Sequence, residues 1–96
     1  METIQAPILT EEQVATIAKR VLQQGNWLYD VEFGLQPAWR GPTENGIGRE
    51  GHKTNLWVVN FLTPPGSFDQ ESRFVEIDDE TATPLGIMTG HNYFFL

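Results

Sequence analysis

Residues 55–62 read Asn-Leu-Trp-Val-Val-Asn-Phe-Leu, apolar at both parities, with Leu56, Val58 and Leu62 on one side and Trp57, Val59 and Phe61 on the other. In an extended chain successive side chains point to opposite faces, so this run predicts a central strand that needs cover on both. A helical segment upstream offers one such apolar surface. In residues 10–24, Val14, Ile17, Ala18, Val21 and Leu22 recur at i, i+3, i+4, i+7 and i+8, the stripe of one amphipathic helix. Thr10 and Gln13 stand at capping-box spacing, Glu11 and Glu12 sit at the positive end of the helix dipole, and Gly25 is placed to end the helix in a left-handed conformation. The stripe is narrow, so the helix covers one face of the sheet, and the other is left to a partner or to the rest of the chain.

The remaining pattern is extended. Trp27, Tyr29, Val31, Phe33 and Leu35 alternate against Leu28, Asp30, Glu32 and Gly34, predicting a half-buried strand over 27–35. Strands are expected at 72–77 and 85–88, joined through the turn run Asp78-Asp79-Glu80-Thr81-Ala82-Thr83-Pro84. Residues 36–54, with Pro37, Pro42, Gly41, Gly46, Gly48 and Gly51, show no period and are expected to form a long Gly-rich loop. Asn92-Tyr93-Phe94-Phe95-Leu96 is too apolar to stay wet and is expected to be packed or paired with a second copy in a homodimer. The expectation is an α+β fold: one N-terminal helix on a three- or four-stranded antiparallel meander, in a single domain spanning 1–96. Its core is expected to include Ile17, Val21, Trp57, Val59 and Phe61.

The helix, Trp57-Val58-Val59-Asn60-Phe61, and Phe74-Val75-Glu76-Ile77-Asp78 followed by Thr81 and Pro84-Leu85-Gly86-Ile87-Met88 resemble the cystatin-like, PepSY-like group of small helix-then-meander domains, which includes several bacterial immunity proteins. The resemblance implies that fold and transfers no functional residue. The turn carries Ala82-Thr83 where those domains favour Gly, and the Gly-rich loop is extra.

Chemistry-bearing motifs are sparse. The chain has no Cys, which removes disulfides, thiolate metal sites and cysteine nucleophiles. With Met-Glu-Thr-Ile-Gln-Ala-Pro at the start, it gives the expectation of a cytoplasmic protein. His52 and His91 lack a second ligand at metal spacing, so no metal or cofactor is expected. Ser67 and Ser72 are in no nucleophile elbow, and Gly46-Ile47-Gly48-Arg49-Glu50-Gly51 lacks the strand and helix that a dinucleotide fingerprint needs. No apolar run approaches the roughly 18 residues of a membrane span.

Charge is more telling. Thirteen acids against six bases give a net charge of -7, which argues against nucleic acid as partner. Beyond residue 55 the acids all fall between Asp69 and Glu80, namely Asp69, Glu71, Glu76, Asp78, Asp79 and Glu80, and are expected to form one solvated negative patch. Such a patch steers a cationic protein. Trp39 and Arg40, beside Arg49, His52 and Lys53, are the second candidate contact, being residue types enriched at binding hot spots. The leading expectation is a non-enzymatic, acidic protein-binding module of immunity or inhibitor type acting on a cationic toxin or enzyme. The alternative is a small enzyme or ligand-binding domain with a pocket between helix and sheet, using Asp30, Glu32 and His52.

Overall fold

The computed structural model describes residues 6–43, 54–66 and 69–96. Helix α1 (Glu11–Gln24) is followed by five strands, β1 (Gln36–Thr43), β2 (Thr54–Leu62), β3 (Ser72–Asp78), β4 (Thr83–Met88) and β5 (Tyr93–Phe95). They form one antiparallel meander in the order β1-β2-β3-β4-β5. The α+β class and the helix-on-sheet arrangement agree with the sequence reading; the sheet has five strands rather than three or four.

The helix begins as its sequence dictates. Thr10 Oγ1 accepts from the Gln13 N–H at 3.1 Å and Gln13 Oε1 accepts from the Thr10 N–H at 2.8 Å, satisfying two donors that the first turn leaves open. Its end differs. Gly25 keeps φ at -89°, and Asn26 takes the left-handed position at φ 58°, while the Trp27 N–H closes onto Leu22 O at 2.8 Å. Glycine is required at 25 for room instead: a Cβ there would lie 2.6 Å from the Trp27 indole.

The predicted strand over 27–35 does not form. The Asp30 carboxylate accepts from the Glu32 and Phe33 N–H groups at 3.0 and 3.3 Å, and Gly34, at φ +77°, donates its N–H to Asp30 O. These local bonds win the backbone from a ladder. The alternation survives only in part: Tyr29 packs edge-on to Phe61, whereas Val31 is 75% exposed.

A strand runs instead through the start of the expected loop. β1 contains Pro37 and Pro42 because it is an edge strand, where proline need not donate to a second neighbour. A register shift between Trp39 and Gly41 puts Arg40 in a bulge, with Gly41 at φ +74°. Residues 44–53, and with them Arg49, His52, Lys53 and the Gly-x-Gly-x-x-Gly match, lie outside the described residues, as do Ser67 and Phe68.

Parity sorts the sheet. Trp57, Val59, Phe61, Val75, Ile77 and Ile87 face the helix and meet Val14, Ala18, Val21 and Leu22 in the core. Ile17, expected in the core, packs against it half-buried at its margin, while Val14, Ala18 and Leu22 are fully buried. The opposite parity, Leu56, Val58, Phe74, Glu76, Met88, Tyr93 and Phe95, forms a second face with no described helix upon it.

Candidate recognition face of the sheet

The ladder registers build this face. Glu76 stands opposite Val58 on β2 and Gly86 on β4; Asp78 stands opposite Leu56; Phe74 stands opposite Met88; Tyr93 stands opposite Met88 from the far side. A groove of about 360 Å³ runs across it, with Leu56 and Val58 in the floor, Phe74, Glu76 and Met88 along one side and Arg40 at the rim. Arg40, the extra residue at the β1 bulge, lies on this face, opposite to its neighbour Trp39, which faces the helix side with its ring 5.3 Å from that of Trp57.

Glu76 is 6% exposed, and the Tyr93 hydroxyl donates to its Oε1 at 2.6 Å. That reach depends on Gly86, where a Cβ would collide with the Tyr93 ring lying over it. Tyr93 in turn packs edge-on to Phe95, with centroids 4.9 Å apart. The residues are seventeen positions apart in sequence, so only the β3-β4-β5 register reveals the pair. A buried carboxylate needs such donors, since an unsatisfied charge in apolar surroundings is strongly unfavourable.

The acids expected to form one patch are divided among separate tasks. Asp79 is 2% exposed, contrary to the expected solvated turn. It accepts from the Ile8 and Leu9 N–H groups at 2.8 and 2.9 Å and from Trp57 Nε1 at 2.9 Å, tying the chain entering α1 to β2. Burial disfavours its charge, but the three donors outweigh burial and hold the carboxyl below its ordinary value. Glu71 accepts from the Gly90 N–H at 2.7 Å and from Arg73 at 3.2 Å; the Gly90 bond first, then Arg73, lower its pKa. Glu80 Oε1 accepts from Asn55 Nδ2, and Asp78 Oδ1 from the Glu80 N–H, each at 2.9 Å. Asp69 is exposed in the β2–β3 connection.

Glu71 and Asp78 flank the length of β3, about 23 Å at roughly 3.3 Å per residue, nearly three Debye lengths at physiological salt. The acids are therefore not one local patch. Of the residues singled out in the sequence, the structure brings together Arg40, Glu76 and Asp78 on the open face. It separates from them Trp39, Glu71 and Asp79 on the helix side and Asp69 in the connection. Leu56 and Val58 were legible as an apolar side needing cover; Phe74, Met88 and Tyr93 carried no signal that set them apart.

The alternative reading placed a pocket between helix and sheet. That space is filled by the core, and the cleft of about 520 Å³ at its margin, between Gln24, Trp27, Pro84 and Leu96, is lined by no ionisable side chain. Asp30 lies elsewhere, its carboxylate accepting from Gln70 Nε2 at 2.8 Å and from its own loop; the Gln70 bond and then the Phe33 N–H lower its pKa. Glu32 is exposed. Among the described residues no group of three or more His, Asp or Glu could hold a metal ion, and no helix is long and apolar enough to cross a membrane.

No family model, curated protein or solved structure matches the chain.

Proposed function

We propose that this chain is a non-catalytic recognition module that docks a basic protein on the open face of its sheet, as an immunity or inhibitor protein would, in the cytoplasm and with a cystatin-like fold. The observation that carries this reading is the apolar groove over Leu56 and Val58, lined also by Arg40 and Glu76, with Asp78 opposite Leu56 on β3. An apolar floor edged by charge is the anatomy of a protein contact: the floor supplies burial and the rim supplies orientation. The net charge of -7 selects the sign of the partner, because a long-range field attracts a cationic protein and repels an acidic one.

The test is site-directed photo-crosslinking in the native cell. A photoreactive residue in place of Met88, on the open face, is compared with one in place of Gln23, on the outer surface of α1. The expected result is a discrete adduct with a basic protein from position 88 and none from position 23. Asp78→Lys should diminish the adduct, and with the purified partner it should slow association several-fold at low salt. Adducts from position 23 alone, or an acidic partner at position 88, would overturn the proposal.

A further inference from the structure

We propose that β5 is a homodimerisation edge, at which two copies join their sheets antiparallel about a two-fold axis. The inference does not rest on the docking surface, a groove across β1 to β4 on the open face, because it concerns the backbone edge of β5. The two sheet edges are built differently. β1 is guarded by Pro37, Pro42 and the bulge at Arg40, devices that keep another strand from adding. β5 has no proline, bulge or charge, and it carries Phe94 at 44% and Phe95 at 65% exposure, with Leu96 beside them at 57%.

The register shows what the edge offers. The Thr89 N–H donates to Asn92 O and the Leu96 N–H to Leu85 O, so 89/92, 87/94 and 85/96 are the hydrogen-bonded pairs of this ladder. Phe95 belongs to the intervening, non-bonded pair with Gly86, and its N–H and C=O therefore point away from β4. A two-fold copy presents the same donor and acceptor in reverse, so the edge is complementary to itself.

Charge selects a second copy over the basic partner of the open face. From Thr81 to Leu96 the chain carries no Asp, Glu, Lys or Arg, although the whole carries a net charge of -7. A basic protein gains nothing specific there. Two acidic copies, in contrast, meet with their β3 strands five strand spacings apart, about 24 Å, or three Debye lengths at physiological salt. Phe94, already edge-on to Trp27 at 5.4 Å, would meet its counterpart on the helix side, and Phe95 would cover its neighbours on the open side.

The exposed parts of Phe94, Phe95 and Leu96 amount to about 300 Å² per copy, at roughly 200 Å² for an aromatic side chain. That lies below the area of a standard stable interface, so the dimer is expected to be weak and concentration-dependent.

Sedimentation velocity of the full chain from roughly 10 μM to 1 mM should show a monomer passing to a dimer, a range suited to micromolar affinity. Phe95→Pro removes the outward N–H while leaving the bonds to β4 in place, and Phe95→Lys puts like charges across the axis; each should weaken association at least tenfold. Hydrogen exchange of the wild-type Phe95 amide, which needs no variant, should slow as concentration rises while that of surface amides in α1 does not. A wild-type chain that stays monomeric to about 1 mM, or a dimer unaffected by both substitutions with no added protection at Phe95, overturns the proposal.

Discussion

Asp79→Asn is the substitution with the most to say about how this fold is held. It preserves the shape of the side chain and removes the charge that three donors address: the Ile8 and Leu9 N–H groups and Trp57 Nε1, at 2.8 to 2.9 Å. With the amide oxygen kept toward Leu9 and Trp57, the new NH₂ must face the Ile8 N–H, donor against donor. One charge-assisted bond is lost and two fall to neutral strength, a change of about 1 kcal/mol each, so the expected destabilisation is about 2 to 3 kcal/mol. For a domain of this size that is a fall in Tm of roughly 10 to 20 °C. The carboxyl's folded pKa lies below its ordinary value of 3.8. Its stabilisation is therefore complete above that value and is lost as pH falls through the lower folded value. Denaturant unfolding of both proteins between pH 7 and pH 2.5 is the assay, with the variant showing the shallower acid loss. A difference below about 0.5 kcal/mol at pH 7, or equal acid slopes, would refute the latch.

Two further predictions concern packing. Leu22→Ala, at a fully buried position, should cost about 2 to 5 kcal/mol, and Ile17→Ala, at the core margin, at least about 1 kcal/mol less; urea titration of both checks the order. Gly86→Ala should destabilise by about 1 to 3 kcal/mol by driving the Tyr93 ring off β4. Tyr93→Phe, which removes only the hydroxyl donated to Glu76, should cost less, and the reverse order in thermal melts would show that the ring does not need the missing Cβ.

The helix was legible because its stripe, capping box and length all agreed, β2 because its run is apolar at both parities, and β3 and β4 because short apolar segments flank a polar turn. The failures are equally physical. At 27–35 the alternation is real, but Asp30 captures two backbone N–H groups, and a side chain that competes for the backbone is invisible to periodicity. β1 was hidden because proline and glycine count against a strand only where both edges are paired, and this one is paired on one side. β5, three residues long, is too short for any period to register. On the candidate face, β3 parity separates Glu76 and Asp78 from Asp79 and Glu71, so the sorting could have been read from the strand once its ends were known. Arg40 follows Trp39 in ordinary alternation and so falls on the open face, but the bulge that displaces the pairing of Gly41, Pro42 and Thr43 beyond it carried no signal in the sequence.

The division of the acids changes what the chain's charge means. Asp30, Glu71 and Asp79 are held by donors that lower their pKa values, so they stay ionised and add to the long-range negative field. Their carboxylates are nonetheless engaged by donors within the fold, Asp79 being buried as well. On the proposed docking, attraction at a distance would belong to the whole chain and discrimination at contact to the charges beside the groove. Removing charge at Asp79 should change stability and leave partner choice alone; reversing it at Asp78 should change association, and through loss of the bond to the Glu80 N–H should cost about 1 kcal/mol of stability, less than Asp79→Asn. A chain whose acids all lay in one solvated patch would not separate these two effects, because every substitution there would alter the field and the contact together.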